Sequence, residues 1–143
     1  AVKSETLTNE QLQALDARIQ SIPIVETLGM EITKLEKGHC EATVPRHKRW
    51  DGIYETFHGG MLGTIADTVT CWSILTEIGA DAQVATTDFN IRFLRPCHTD
   101  VICKAHVVRI GRTMCLARAD LYDTQGKLVA VSQVNYIRLQ NNQ

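Results

Sequence analysis

The sequence predicts one α+β domain in which an antiparallel sheet wraps a single long central helix. Two observations carry this prediction. A helical segment of 19 residues, Gly60–Ile78, is apolar on every side, and such a helix is buried on every side. Most of the remaining chain alternates between apolar and polar residues, as half-buried strands do. The length of 143 residues suits one domain, so we expect residues 1–143 to form it, with residues 1–25 as an N-terminal helical segment.

The elements before the central helix are short. Thr8 and Gln11 form a capping-box pattern at the start of an amphipathic helix that reaches Gln20 and is ended by Pro23. Two strands and a polar loop follow, over residues 30–36, 40–44 and 46–57.

The elements after the central helix are all strands. Gly79 stops the helix, and prolines, glycines and a turn at residues 123–126 separate the apolar runs that follow it. The predicted strands are Val84–Leu94, Asp100–Ile110, Arg112–Tyr122 and Lys127–Leu139.

The central helix also predicts a subunit interface. At 100° per residue, one stripe consists of Met61, Leu62, Ile65, Val69 and Trp72, and the opposite side carries Cys71, Ile74 and Ile78. In a chain of this size the sheet covers one face, so the second apolar face needs another subunit. We therefore expect an obligate dimer, with the dimers pairing further into tetramers.

Asp67 is the one formally charged residue between His58 and Thr76. An ionised carboxylate in apolar surroundings is costly unless it is paired or hydrogen-bonded. Either Asp67 is solvated at a partly exposed point of the helix, or it is a base or nucleophile at a cleft between subunits. The helical wheel places it between Cys71 and Ile74, on the face assigned to the partner, which favours the second interpretation.

The helix begins at His58-Gly59-Gly60, a sequence suited to binding an anion. The first N–H groups of a helix have no internal acceptor and can stabilise a developing oxyanion. Taken singly, the two glycines are as typical of a turn as of an anion site. His58 alone is equally typical of a histidine that makes a structural hydrogen bond. His58 and Asp67 lie nine residues apart, roughly 13 Å along one helix, so they act on one substrate only across a two-fold interface.

These residues resemble a known family. The segment Tyr54–Asp67 resembles the HGG…D signature of hotdog-fold acyl-CoA thioesterases, closest to the phenylacetate-pathway (PaaI-like) group. Three later stretches resemble the same group in the same order: Thr86–Pro96, Arg109–Thr113 and Asp123–Ala130. The resemblance covers residues 26–139. It implies a hotdog fold and the hydrolysis of acyl-CoA or aryl-CoA thioesters.

The resemblance also implies a role for each matching residue. The Gly59 N–H would bind the thioester carbonyl and stabilise the oxyanion, while His58 would support the loop that presents it. Asp67 of the other subunit would attack the carbonyl or activate water, and Thr86 would orient that water. These four residues are the predicted catalytic set.

The chain departs from the family pattern at two positions in the loop before His58. Gly52 stands where many relatives have Asn or Gln, which removes an amide from the substrate site. Glu55 stands where relatives usually have Gly. It is either a surface replacement or a second carboxylate near the mouth of the cleft.

Coenzyme A carries phosphates, so basic residues should line the cleft mouth. The predicted substrate-binding residues are Gly60, Arg95, Arg109, Arg112 and Thr113. For each arginine an ordinary solvated charge is an equally good interpretation. The five histidines lack zinc-site spacing, and GxSxG, GxGxxG and P-loop motifs are missing, so we expect neither a metal nor a cofactor apart from the CoA of the substrate.

Composition narrows the class of protein. A formal net charge of -1 and a pI of about 6.6 argue against nucleic acid or membrane as a partner. Five cysteines without a CxxC pair, and an N-terminus without an apolar signal segment, predict a cytoplasmic protein with reduced thiols.

Three other functions remain to be weighed against hydrolysis. A hotdog hydratase needs a different acidic and histidine set, which the sequence does not show. A non-catalytic acyl-CoA-binding regulatory module would keep the cleft without the carboxylate, so Asp67 argues against it. A purely structural dimerisation domain would leave both Asp67 and the HGG segment unexplained.

Overall fold

The computed structural model describes residues 6–139, which form a six-stranded antiparallel sheet packed against one long helix. The helices are α1 (Asn9–Gln20), α2 (Pro23–Leu28) and α3 (Gly59–Ile78), with a 3-10 turn at Lys48–Trp50. The strands are β1 (Glu31–Glu36), β2 (His39–Val44), β3 (Val84–Phe93), β4 (Val101–Ile110), β5 (Met114–Tyr122) and β6 (Leu128–Arg138). This is the predicted architecture, and the ends of the predicted strands agree with the observed ones to within two residues.

The strand order β1-β2-β4-β5-β6-β3 places β3 at one edge of the sheet. Within residues 6–139, β3 pairs only with β6, from Val84 opposite Arg138 to Phe93 opposite Ala130. The long helix α3 connects β2 to β3, and β3 lies at the opposite edge of the sheet from β1 instead of beside β2. One side of β3 therefore presents unpaired backbone groups.

The N-terminal region contains one more helix than predicted. Thr8 caps α1 through the expected reciprocal bonds with Gln11, and α1 ends at Gln20. Pro23, predicted only to end this helix, is also the first residue of α2. Proline suits the first turn of a helix because its fixed φ is already helical and no N–H is needed there.

The C-terminal half of α3 is enclosed by its own chain, which corrects the predicted subunit face. Ile74 has no exposed surface and packs in a cluster with residues of β5 and β6, namely Cys115, Ala117, Val134 and Tyr136. Ile78 and Cys71 pack against that cluster, and Leu75 packs with Leu15 of α1. The wheel argument failed because it assigned one face of the helix to the sheet, whereas the sheet and α1 together enclose this half.

The N-terminal half of α3 is more open. Gly60 is exposed, and Thr64, Asp67 and Thr68 are half-buried. The neighbouring edge strand leaves large apolar side chains in solvent, with Phe89 44% and Phe93 53% exposed. The uncovered apolar surface therefore lies along β3 and this half of the helix, not on Ile74 and Ile78.

The cysteines are packing residues. Cys40, Cys97, Cys103 and Cys115 are buried, Cys71 is half-buried, and all five are free thiols. Burial raises the pKa of Cys40 to about 12, and burial together with the charge of Asp67 raises that of Cys71 to about 11. Among residues 6–139, no helix combines the length and apolar character needed to cross a membrane.

Candidate active site

His58 fixes the start of α3 and decides which helix N–H is free. Its Nδ1 accepts the N–H of Gly60 at 2.9 Å, and its own N–H donates to the carbonyl of Trp50 at 2.7 Å. The Gly60 N–H is thus occupied, whereas the Gly59 N–H has no acceptor within residues 6–139. Of the two glycines predicted to contact substrate, Gly59 offers the open donor, and Gly60 does not while this bond stands.

Gly59 and Gly63 allow two phenylalanine rings of β3 to lie directly on the helix. A Cβ at Gly59 would lie 3.0 Å from Cζ of Phe93, closer than an ordinary contact allows. A Cβ at Gly63 would lie 3.4 Å from Cε2 of Phe89. The glycines therefore bring β3 close to α3 along the open half of the helix.

Asp67 is half-buried, and two hydroxyl groups of its own chain reach its side chain. Thr86 Oγ1 donates to Asp67 Oδ1 at 2.7 Å, and the Tyr136 hydroxyl lies 3.1 Å from the same oxygen. The Tyr136 hydroxyl also donates to the backbone carbonyl of Asp67. No hydrogen bond within residues 6–139 engages Asp67 Oδ2, so this oxygen is open for chemistry.

Thr86 was predicted to orient a water molecule, and the structure places it on the carboxylate itself. A threonine hydroxyl has one proton and two lone pairs. Because its proton goes to Asp67, its lone pairs remain free to accept a hydrogen bond from water. The observed contact is therefore compatible with the predicted role and ties it to Asp67.

Sequence reasoning missed Tyr136 and Thr70. Tyr136 is only 1% exposed on β6, and its hydroxyl lies 2.7 Å from Thr70 Oγ1 on α3. Tyr136 stands opposite Thr86 in the register of β3 and β6. The alternation of β6 shows that Tyr136 points inward, but only the register shows that it shares Asp67 with Thr86.

Three contacts in series join α3 and β3: Gly59 with Phe93, Gly63 with Phe89, and Asp67 with Thr86. The helix and the strand therefore run in opposite directions side by side. Gly59 and Asp67 lie at the two ends of this series, eight residues and about 12 Å apart. One chain does not bring the free N–H and the free carboxylate oxygen onto the same atom of a substrate.

The predicted basic residues divide into two groups. Arg109, Arg112 and Thr113 line one groove beside the turn between β4 and β5. Arg138, which the sequence did not single out, lines a neighbouring groove with Arg112 and Thr113. Arg95 follows the other end of β3, so the structure does not bring it to these residues within one chain.

The loop before His58 contains both departures from the family pattern. Glu55 is exposed and has a φ of 56°, in the left-handed region that favours glycine. Arg46 holds this turn by donating to the Glu55 carbonyl at 2.7 Å and to Asp51 Oδ2 at 2.5 Å. A Cβ at Gly52 would lie 3.6 Å from Cδ2 of His58, so an amide at this position would start beside the His58 ring.

The part of the chain that the structure describes contains no group of three or more His, Cys, Asp and Glu side chains arranged to hold a metal ion. At Gly59 and Asp67 the chain offers an N–H donor and a carboxylate. This pair suits the hydrolysis of an activated carbonyl compound.

Comparison with known proteins identifies the family of this chain. The family model of the thioesterase superfamily matches residues 54–130, more than half of the chain. A protein of Halobacterium salinarum with a provisional esterase name is 30% identical over 124 residues, 79% of this chain and 82% of that protein. Acyl-coenzyme A thioesterase 13 of Homo sapiens is 34% identical over 79 residues, 52% of this chain and 55% of that protein.

Solved structures confirm the hotdog fold. The E. coli PaaI protein from the phenylacetic acid degradation operon superposes with a TM-score of 0.85, at 20% identity, over 94% of this chain and 97% of that one. The resemblance seen in the HGG…D segment is therefore matched by the whole architecture.

Proposed function

The chain belongs to the thioesterase superfamily, and on that premise we propose that it hydrolyses acyl-CoA or aryl-CoA thioesters to the free acid and coenzyme A. The observation that carries the proposal is the hydrogen bonding of the Asp67 carboxylate. One carboxylate oxygen is held by hydroxyl groups of Thr86 and Tyr136, and the other is open. A carboxylate held in this way is prepared to act on a substrate.

The spacing of the site supports a dimer with shared active sites. Gly59 and Asp67 lie four residues on either side of Gly63, which contacts Phe89. A two-fold axis near the contact between Gly63 and Phe89 brings Gly59 of one chain to the end occupied by Asp67 of the partner subunit. Two equivalent sites result, each with an N–H donor from one chain and a carboxylate from the other.

The edge strand β3 is suited to form that interface. Within the described residues its outer side has unpaired backbone groups, its exposed apolar side chains include Phe89 and Phe93, and Leu94 directly after it is also exposed. Proteins rarely leave such an edge open, because it can pair with other chains. Pairing of two β3 strands would cover these side chains and join the two sheets. We expect light scattering to show a dimer or a dimer of dimers, and a fully active monomer at micromolar concentration would contradict this interface.

The reaction needs only these groups and water. The Gly59 N–H donates to the carbonyl oxygen as it becomes an oxyanion. Asp67 Oδ2 either takes a proton from the attacking water or attacks the carbonyl carbon and is then released by water. A C–O bond forms, the C–S bond breaks, and the proton ends on the departing thiolate. Thiolates are weakly basic leaving groups, so no strong acid is needed.

The basic residues complete the substrate site in the same arrangement. The groove with Arg109, Arg112 and Thr113 lies beyond the Asp67 end of its chain, and Arg95 lies at the Gly59 end. The two-fold axis therefore brings the groove of the partner subunit to the same end as Gly59 and Arg95. We propose that these side chains bind the CoA phosphates, that no metal or further cofactor takes part, and that the protein is cytoplasmic.

The test is the release of free thiol from a panel of short, long and aromatic acyl-CoAs. We expect hydrolysis of at least one of them by the wild-type protein. Tight binding of acyl-CoA without any hydrolysis would replace this proposal with the non-catalytic regulatory module. Neither binding nor hydrolysis would remove acyl-CoA as the substrate class.

A further inference from the structure

Tyr136 is buried, yet its hydroxyl is directed at Asp67. The phenyl ring packs in the cluster with Ile74, Cys115 and Val134, where a phenylalanine would fill the same space. The hydroxyl oxygen lies 3.1 Å from Asp67 Oδ1 and also contacts the backbone carbonyl of Asp67. Of the three oxygens around this hydroxyl, two belong to Asp67, and the third is Oγ1 of Thr70.

The neighbouring Thr70 is the other partner of the hydroxyl. Thr70 Oγ1 lies 2.7 Å from the Tyr136 hydroxyl oxygen, and either group can be the donor. Thr70 also has a carbonyl acceptor within the helix, on Ala66 at 2.7 Å, so it does not depend on a tyrosine. A tyrosine hydroxyl has one proton and its oxygen also accepts, so a bond donated by Thr70 leaves the tyrosine proton for Asp67.

The register of the sheet directs two hydroxyl groups at one oxygen. Thr86 and Tyr136 are opposite each other on β3 and β6, and the register shifts immediately after this pair, between Thr86 and Asp88. The bulge changes the alternation of β3, so that Thr86 faces Asp67 and Phe89 faces Gly63. Asp67 Oδ1 is thereby held from both neighbouring strands.

We propose that Tyr136 is a positioning residue for Asp67: it holds Oδ1 and the backbone carbonyl of Asp67 together, and so fixes the side-chain rotamer that presents Oδ2 to the cleft. This inference rests on the proposed function, since it assumes that Asp67 acts on the substrate. It adds a residue that lies behind the carboxylate and makes no contact with the substrate.

Tyr136 remains a hydrogen-bond donor at every working pH, because burial and the nearby Cys71 and Asp67 groups raise its pKa far above the ordinary value. Cys71 lies one turn from Asp67 on α3, and its pKa of about 11 keeps it neutral in acid. Asp88 of β3 accepts a hydrogen bond from the Asn135 amide, and Arg18 of α1 donates to backbone carbonyls after α3. His58 caps α3 and Glu77 lies near its end, and both are the same in wild type and in a Tyr136→Phe variant. A difference in the acid limb of the rate profile between these two proteins therefore reports the loss of the Tyr136 hydroxyl.

The experiment compares wild type with Tyr136→Phe by measuring kcat, KM and the pH profile of kcat/KM. Removal of a donor to the ionised carboxylate should move the acid limb upward. Loss of the fixed rotamer should lower kcat about tenfold. KM should stay within about twofold, because Tyr136 does not touch the substrate.

The matched control is Tyr122→Phe on β5. Tyr122 is half-buried, its ring lies over the Lys104 ammonium, and its hydroxyl takes part in no hydrogen bond within residues 6–139. Loss of the Tyr122 hydroxyl should change neither kcat nor the acid limb of the rate profile. This control separates the role of the Asp67 contact from the general effect of losing a tyrosine hydroxyl.

Two results would overturn the inference: an unchanged pH profile with unchanged kcat, or a lower kcat with the acid limb unmoved. Asp67→Asn, measured in parallel, keeps the two proposals separate, because full activity in that variant removes the proposed function instead. If Tyr136→Phe does not fold, 3-fluorotyrosine is incorporated into the Tyr54→Phe/Tyr122→Phe protein. The stronger donor at Tyr136 should then move the acid limb downward, and an unmoved limb would contradict the inference.

Discussion

The two halves of α3 differ in what covers them. The C-terminal half, which contains Trp72 and Ile74, is enclosed by the sheet and α1 and has no exposed core side chains at these positions. The N-terminal half lies beside an edge strand whose phenylalanines are partly in solvent. Burial of the C-terminal half stabilises the fold, whereas the open N-terminal half carries both Gly59 and Asp67. One half of the apolar helix therefore stabilises the fold, and the other half carries the proposed catalytic residues.

The largest effect is expected for Asp67→Asn. The amide keeps the shape of the side chain but cannot act as a base or nucleophile, so kcat should fall at least about a hundredfold. Steady-state kinetics on the best acyl-CoA measure this effect, and thermal unfolding checks that the fold is retained. Undiminished hydrolysis by this variant would exclude Asp67 from the mechanism.

Gly59→Pro tests the other member of the pair. Gly59 is the first helical residue, a position that tolerates proline, so the substitution removes the proposed N–H donor with little harm to the helix. We expect kcat to fall about a hundredfold, as for the loss of an oxyanion donor.

Gly59→Ala is its control, because it adds the same Cβ against Phe93 and keeps the N–H. Gly59→Ala should lower kcat much less than Gly59→Pro does. Equal losses in the two variants would show that crowding by the Cβ, not the missing donor, causes the defect.

Ile74→Ala tests the enclosed half of the helix. Removing a fully buried isoleucine side chain leaves a cavity and should lower the free energy of unfolding by about 2–4 kcal/mol. The activity of the folded fraction should change little. Thr64→Ala, at a half-buried position in the open half, should change the unfolding free energy by less than about 0.5 kcal/mol. Denaturant titration of the two variants measures the contrast, and similar losses would contradict it.

A smaller effect than that of Ile74→Ala is expected at Glu55, which lies outside both halves. Its φ of 56° is strained for any residue with a side chain, so Glu55→Gly should raise the free energy of unfolding by up to about 1 kcal/mol. Turnover should stay near the wild-type value if Glu55 is a surface replacement. A large loss of kcat would instead identify it as the second carboxylate at the cleft mouth.

Much of the fold was predictable from the sequence, but the assignment of Ile74 and Ile78 to a subunit interface was wrong. The alternation of the strands, the cap at Thr8 and the all-apolar α3 predicted the fold, because local patterns report burial. The same patterns gave Ile74 to a partner subunit, since a helical wheel does not show how far a curved sheet and α1 extend around the helix. The exposed edge of β3 could not be predicted either, because strand order depends on pairing between residues far apart in the chain.

The site was predictable to the extent that it is local in the chain. His58, Gly59 and Asp67 stand out as a helix start and a lone charge, and all three lie on α3 or its cap as expected. Tyr136 was missed because its position beside Asp67 depends on the register between β3 and β6. Arg95, Arg109 and Arg112 were predicted to line one cleft mouth, but within one chain Arg95 lies at the other end of β3 from the groove with Arg109 and Arg112.

The central claim is that each site combines Gly59 of one chain with Asp67 of the other, and co-expression of two inactive variants tests it directly. Random pairing of Asp67→Asn chains with Gly59→Pro chains gives dimers of which half are mixed. Each mixed dimer contains one site with neither substitution, so the mixture should recover about a quarter of the wild-type kcat. If each site belonged to a single chain, every site would carry one defect, and the mixture would remain as inactive as the separate variants.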